Sequence, residues 1–458
     1  MKSLLALLPA ALLFQASPCS ALGPASERIV VLISVDGLAH YYFDDPKAEM
    51  PTIRRLAAEG ARAEKMKATM PTVTWPNHTT LVTGVNPAKH GVIGNSYFDR
   101  AKGAAVTLLA DPLFDKTEIV KSPTIYDVAK EAGLKTAAIT WPASRGAPTL
   151  DWTVPDVGTK ALYQKYITPS LLAEFDDQGI PWDLQEQWWK DGKGRDRDRM
   201  YTQMFNHVVR HHRPNVAVLH LVELDHVEHS KGPQSPEAYA AVKFEDERVR
   251  DVLEELQKSF PGAATLIVSS DHGFFPFQQM VMPNVLLRQE KLLTAVAGRI
   301  TGGQVRASGQ GGASFVYVMD QANREALIEK VAGLFKNVEG VGRVLTPKDY
   351  PAYGLADPQK NPQMADLVIS AKKGYSLSDS AAGDDVVSAK TEEVKGSHGY
   401  DSEEDGMHAT FVAWGAGIMP AAKLGTISNL DVAPTMAALL GLTMKEVDGK
   451  VLDSILEK

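Results

Sequence analysis

Three acidic residues stand directly after short apolar runs: Asp36 after Ile29 to Val35, Asp225 after Val216 to Leu224, and Asp271, with His272 beside it, after Thr265 to Ser270. Any one of them could be a helix cap. The set asks for more. Asp225 and His229 are four residues apart, a spacing that lets two side chains meet one ion from a single turn or helix face. His272 pairs a nitrogen ligand with an oxygen ligand. His398 sits in the run Gly396-Ser397-His398-Gly399-Tyr400, where glycines let the backbone bend close to an ion.

A candidate nucleophile lies upstream, in Met70-Pro71-Thr72-Val73-Thr74-Trp75-Pro76-Asn77-His78. A threonine hydroxyl attacks poorly at neutral pH unless a base or a metal stabilises its alkoxide, and the acids and histidines above could supply that metal. Cys19 is the only cysteine. A metal site must therefore use His, Asp, Glu and hydroxyl groups, which suits zinc or another hard-to-borderline divalent ion.

Positioning such groups requires a scaffold. The run Ile29 to Val35 has the continuous β-branched character of a strand buried on both faces, and Ala365 to Ser370 and Thr410 to Trp414 read similarly. Between strands lie amphipathic helical patterns, such as Tyr239, Val242, Val249, Val252, Leu253 and Leu256. Alternation of this kind predicts an α/β fold with a doubly wound, mostly parallel sheet, whose strand ends would converge on one crevice. Two stretches interrupt the rhythm as insertions. Residues 150–215 include the charged run Asp191 to Arg199, read as solvated; residues 275–390 predict a small cap with strand, helix and strand at Phe315 to Met319, Asn323 to Phe335 and Val341 to Leu345, set off from the core by the Gly309 to Gly312 turn.

The 458 residues are 44% hydrophobic, enough for a substantial core, and the net charge of -8 offers no basic field for a long nucleic acid. No stable nucleic-acid partner is expected. The first residues, an apolar run from Leu4 to Phe14 and then Cys19-Ser20-Ala21, predict a signal peptide over residues 1–21 and a catalytic domain over 22–458. Pro18 argues against a lipid anchor on Cys19. A mature chain without cysteine suits a bacterial periplasm or secretion, and no transmembrane segment is expected.

From about Ile29 to about Leu452 the chain resembles the nucleotide pyrophosphatase/phosphodiesterase family of the alkaline phosphatase superfamily. The matching motifs are Thr74 to His78, Leu81 to Gly84, His90 to Val92, Asn95, Asp225 with His229, Ser270 to Gly273, His398 to Asp401, Met407 to Ala409 and Asn429 to Thr435. The resemblance implies an alkaline-phosphatase-type sheet and two zinc ions. One would be held by Asp225, His229 and His398, the other by Asp36, Asp271, His272 and the Thr74 oxygen. It also implies attack by Thr74 on phosphorus through a phosphothreonine, with Asn95 donating to a non-bridging oxygen. Two divalent ions about 4 Å apart suit an in-line displacement.

The expected substrate is a small phosphodiester or nucleotide pyrophosphate. A diesterase needs an apolar slot for its second substituent, for which Trp75, Tyr97, Phe98, Trp141 and Trp152 are candidates; a monoesterase needs extra cations, and Arg145 stands where one could serve. A threonine-nucleophile phosphomonoesterase is thus the alternative, followed by a phosphomutase and by a secreted binding module with a structural metal cluster. His78 and His226 are read as bracing residues, His211 and His212 as surface residues, and His408 as a neighbour of the ligands.

Overall fold

The computed structural model describes residues 23–457. The expected signal peptide and Cys19 lie outside that range. Strands and helices are numbered along the chain for those elements that position the site. The strands are β1 (Ile29–Val35), β2 (Ala61–Lys67), β3 (Thr136–Ile139), β4 (Trp152–Val154), β5 (Val216–Leu221), β6 (Ala264–Ser269), β7 (Val305–Gln310), β8 (Ala313–Val318), β9 (Val341–Leu345), β10 (Leu367–Ala371), β11 (Phe411–Gly415) and β12 (Ala422–Ser428). The helices are α1 (Thr74–Thr83), α2 (Pro169–Asp177), α3 (Gly194–His212), α4 (Glu223–Lys231), α5 (Pro236–Ser259) and α6 (Arg324–Lys336).

Eight strands form the central sheet in the order β12-β2-β11-β6-β1-β5-β3-β4. All neighbours run parallel except β11, which is antiparallel to both β2 and β6. The continuous apolar character of β1 has a direct cause: Ile29, Val31, Ile33 and Val35 pack into one layer with α3 and α5, while Val30 and Leu32 pack into the other with the helices at Ile125–Glu131 and Val432–Leu439. Both faces are covered, so the sheet is doubly wound as its sequence pattern requires. The carboxyl ends of β1, β2, β5 and β6 lie on one edge. Because β11 runs the other way, the segment leading into it, which carries His398, arrives at the same edge.

Residues 150–215 join this core instead of standing off it. They supply β4 at the sheet edge, and Leu171, Phe175, Met204 and Phe205 pack into the same layer as β1. The charged run Asp191 to Arg199 is likewise not simply solvated. It opens α3, where Asp198 is wholly buried and its Oδ2 accepts the N–H groups of Val222 (2.9 Å) and Glu223 (2.7 Å) at the start of α4. Those amides lack partners within their own helix, so Asp198 caps α4 from a different element. Composition marks a charged run as exposed; the carboxylate is buried because α4 needs it.

The cap expectation finds its elements in a four-stranded antiparallel sheet, ordered β7-β8-β10-β9, with α6 packed on it through Leu327, Ile328, Val331 and Phe335. Ala365 to Ser370 therefore belongs here and not to the central sheet, since an apolar run buried on both sides does not reveal which sheet it joins. The Gly309 to Gly312 turn is no boundary either. It is the hairpin between β7 and β8, and it packs on the His398 loop, where the Gly312 N–H donates to the His398 carbonyl. Gly399, with φ of +93°, makes the contact possible: a Cβ there would lie 1.9 Å from the Gln310 carbonyl oxygen. Among the described residues no helix is long and apolar enough to cross a membrane.

The cap on α4 yields a prediction. Asp198→Ala would leave two buried amides without acceptors, and urea unfolding is expected to show a loss of about 2–3 kcal/mol. An unchanged midpoint would contradict the capping role.

Candidate active site

The Thr74 side chain stands at the first position of α1, at the edge where the sheet strands end, and is 8% exposed. The loop before it is fixed from two directions. Asn77 donates from Nδ2 to the Pro71 (3.0 Å) and Val73 (2.8 Å) carbonyls, and its Oδ1 accepts from Thr69 N–H (2.8 Å) and from Asn429 Nδ2 (2.8 Å). From the other side, Gly399 N–H donates to the Thr72 carbonyl, and the Thr72 hydroxyl donates to the Tyr400 carbonyl.

Asn95 faces this helix start. Its Oδ1 accepts the Trp75 N–H at 2.9 Å, and its own N–H donates to Gln310 Oε1 at 3.0 Å, so a residue of the cap hairpin orients it. A backbone amide can only donate, which assigns Oδ1 to that bond and leaves the Asn95 NH₂ free to donate elsewhere. Such a donor beside a helix N-terminus suits an anion.

Two groups of potential ligands lie alongside. In Asp36, Asp271 and His272, and again in Asp225, His229 and His398, one ligand atom from each residue lies within 4.8 Å of the others. The two groups share a wall, because the His272 and His398 rings stack with centroids 3.7 Å apart. In the second group, His398 Nδ1–H donates to the Thr72 carbonyl (3.0 Å) and His229 Nδ1–H to the Gly396 carbonyl (3.2 Å). With Nδ1 as donor in each ring, the two Nε2 atoms face each other at 3.1 Å with Asp225 Oδ1 about as close, and each would offer a lone pair to a shared cation. Two imidazole nitrogens and a carboxylate converging on one point could hold a cation, and backbone carbonyls on the outer nitrogens are the usual orienting partners of metal-bound imidazoles.

The first group gives the same indication. Asp36 Oδ1, Asp271 Oδ2 and both ring nitrogens of His272 are buried with no hydrogen-bond partner, although His272 Nε2 lies 3.1 Å from Asp271 and 3.4 Å from Asp36. Buried polar atoms left unpaired cost free energy, so a shared ion is the arrangement that satisfies them together. Burial and then the Asp225 charge push the Asp36 carboxyl well up, and burial followed by Asp36 does the same to Asp271. Burial holds His398 down to about 4 and lowers His272 strongly, so both rings are neutral. Burial opposes ionisation of Asp225, but His229, whose own pKa the Asp225 charge and hydrogen bond raise against burial, outweighs it and holds the carboxyl below the ordinary range. Imidazoles and carboxylates gathered in this way are a donor set that suits zinc.

Three residues that the sequence reading passed over complete the surroundings. His220, the one polar residue of its kind inside the apolar strand β5, lies with Nε2 2.9 Å from Asp36 Oδ2 and Nδ1 3.2 Å from the Thr140 carbonyl. A histidine in a fully buried strand was the available signal. Phe274 is 1% exposed and presents its ring to His229 (5.0 Å) and His398 (5.1 Å), walling the second group. Glu228, itself on α4, is wholly buried, and Tyr42 Oη donates to it at 2.6 Å.

Other expectations need correction. Trp75 and Trp141 are 0% exposed, so neither can present a face to a substrate; Trp141 instead sets its edge against His78, whose Nδ1–H donates to the Thr74 carbonyl at 2.9 Å. Trp152 starts β4 at the opposite end of the sheet. Tyr97 is 6% exposed on the short strand that follows Asn95. His408 leans on the Ser402 carbonyl (3.3 Å) and not on a ligand, and His226 is exposed. Arg145 is not free: Nε donates to Asp115 (2.9 Å) and Nη1 to the Asp111 carbonyl (2.9 Å).

Residues 30–401 match the family described as type I phosphodiesterase / nucleotide pyrophosphatase. The chain belongs to this family. It is 25% identical over 430 residues to a venom phosphodiesterase of Crotalus durissus collilineatus, covering 92% of this chain and 45% of that protein. It is also 25% identical over 434 residues to an uncharacterized pyrophosphatase/phosphodiesterase of Schizosaccharomyces pombe, covering 92% and 79%. The chain thus spans less than half the length of the venom enzyme. The murine ectonucleotide pyrophosphatase/phosphodiesterase 5, solved as an inactive threonine-to-alanine variant in complex with AMP, shares the fold with a TM-score of 0.69 at 19% identity, covering 94% of this chain and 100% of that one. The likeness supports an alkaline-phosphatase-type sheet.

The Arg145 neighbourhood carries its own prediction. Burial pushes the Asp111 carboxyl up to about 8 against the pull of the Arg145 guanidinium, and both its oxygens lack hydrogen-bond partners. A raised carboxyl takes up a proton on folding between its ordinary value of about 4 and its folded value, so stability falls as pH rises through that window. Asp111→Asn should gain on the native chain from about pH 5 to about pH 8, by up to about 1.4 kcal/mol per pH unit. Urea unfolding across that range measures it, and a pH-independent difference would contradict it.

Proposed function

We propose that the chain is a two-zinc hydrolase of phosphodiester or nucleotide pyrophosphate bonds, with Thr74 as its nucleophile. Asp225, His229 and His398 would hold one ion, and Asp36, Asp271 and His272 with the Thr74 oxygen the other. The observation that carries this reading is the convergence of imidazole nitrogens and unpaired buried carboxylate oxygens on two adjoining points. Bound zinc supplies Lewis acidity and positive charge at the reacting oxygens.

The chain's own residues divide the remaining work. The hydroxyl oxygen of Thr74 bonds to phosphorus as the ester or pyrophosphate oxygen leaves and the hydroxyl proton is given up, giving a phosphothreonine that keeps the second substituent; water then cleaves it, releasing the monoester and restoring the hydroxyl. The Asn95 NH₂, held in place by the Trp75 N–H, donates to a non-bridging oxygen as charge accumulates there. His78 and His220 brace the Thr74 carbonyl and Asp36. The engagement of Arg145 with Asp115 favours a diester or pyrophosphate over a dianionic monoester, which would call for a free cation. AMP in the murine relative fits the product of nucleotide pyrophosphate cleavage. The names of the venom and ectonucleotidase relatives support action outside the cytoplasm, in a periplasm or after secretion.

Thr74→Ala is expected to lower kcat/KM for bis-p-nitrophenyl phosphate by about 10³-fold or more while zinc content stays unchanged. Undiminished turnover would exclude Thr74 as nucleophile. Asn95→Ala should cost about 10²–10³-fold in kcat, in the manner of a lost oxyanion donor. The native chain should prefer the diester to p-nitrophenyl phosphate; a strong preference for the monoester would overturn the diesterase assignment.

A further inference from the structure

Away from the sheet edge where Thr74 opens α1, a third group of ligand-type side chains comes together. His207 and His212 lie on the last turns of α3 and Glu174 on α2, and the three ligand atoms lie within 4.8 Å of one another. Both imidazoles address the same atom. His207 Nε2 and His212 Nε2 are each 2.7 Å from Glu174 Oε2. His212, read from sequence as a surface residue, is stacked on Trp152 with ring centroids 4.6 Å apart, and His207 sets its edge on Phe175 at 5.7 Å. The two rings are therefore held by packing, which lowers the cost of ordering them about an ion.

We propose that Glu174, His207 and His212 form a structural zinc site distinct from the active site. Two imidazole nitrogens and one carboxylate oxygen are a common zinc donor set, and the fourth position falls to water. The geometry leaves room for that water, since the Glu174 side chain is 28% and the His212 side chain 19% exposed. His207 is almost covered, at 8%, and forms the inner wall. A further imidazole, that of His211, has its ring 4.5 Å from that of His207.

The site has a physical consequence for the rest of the chain. It joins α2 to the end of α3 and, through the Trp152 stack, to the edge strand β4. Toward its other end α3 carries Asp198, which caps α4, the helix of Asp225 and His229. Residues 198 and 212 are about 21 Å apart along the helix at about 1.5 Å per residue. An ion at Glu174 therefore anchors the far end of the helix whose start supports the proposed catalytic ligands. It is not placed to touch substrate.

The test uses the whole chain, stripped of metal and reloaded with zinc chloride in the presence of a competing chelator, with zinc per chain counted by mass spectrometry. Glu174→Gln and His212→Ala should each hold one zinc fewer than the native chain while hydrolysing bis-p-nitrophenyl phosphate within about twofold of it. Equal zinc content in native and variant chains would overturn the proposal. Loss of the active-site zinc reading would lower both counts alike and leave the difference of one intact, so the two readings fail separately. A measurement on the native chain covers the case of variants that do not fold: zinc should block carbethoxylation of His212 by diethyl pyrocarbonate at least about tenfold, read by peptide mass spectrometry. Equal labelling of His212 with and without zinc would overturn the site.

Discussion

A few carboxylates and imidazoles are buried at one edge of a sheet without enough protons to satisfy them, and most of the structure around them serves to keep them there. His229 and His398 each spend their Nδ1–H on a backbone carbonyl, which turns their remaining lone pairs toward one another and toward Asp225. Such an arrangement is unfavourable in the absence of a cation and strongly favourable around one. The same holds for Asp36, Asp271 and His272, where buried oxygens and nitrogens lie close without being aligned as hydrogen bonds.

The fold meets this demand by bringing loops from both strand directions to one place. The parallel strands β1, β5 and β6 deliver Asp36, α4 with Asp225 and His229, and Asp271 with His272 from their carboxyl ends. β11 reverses, so the His398 loop enters the sheet where the others leave it. Contact between this loop and the Thr74 loop passes through backbone groups, the Thr72 carbonyl receiving both Gly399 N–H and His398 Nδ1–H. The hairpin of the cap sheet completes the assembly, since Gln310 holds the Asn95 amide and its carbonyl comes so near Gly399 that only glycine fits. The Thr74 loop, one candidate ligand and the candidate oxyanion donor are thereby mechanically linked.

Much of this was legible from residue order. Apolar runs ending in Asp identified β1 and β6 with the groups at their ends, because a strand buried on both faces leaves its first acidic residue at the rim. The pairing of Asp225 with His229 also followed from spacing, although they stand on a helix that begins two residues after β5 ends. What spacing could not show was burial that depends on distant partners. Asp198 sits in a run of charges and is hidden because α4 needs a cap, and His220 looks like an oddity in a strand until Asp36 is placed beside it. Trp75 and Trp141 illustrate the reverse: aromatic residues next to a motif suggest a binding face, but their rings turn inward and brace His78 and the α1 start. His212 looked like one of several surface histidines because its partner Glu174 lies on another helix.

The central claim is that the two adjoining groups are cation sites, and it is tested most directly by anomalous scattering from crystals of the zinc-loaded chain, with data collected on either side of the zinc absorption edge. The account predicts one anomalous peak bounded by Asp225, His229 and His398 and a second bounded by Asp36, Asp271 and His272, the latter within bonding distance of the Thr74 hydroxyl. Absence of a peak at both positions, with the His229 and His398 rings turned so that one donates to the other, would contradict it.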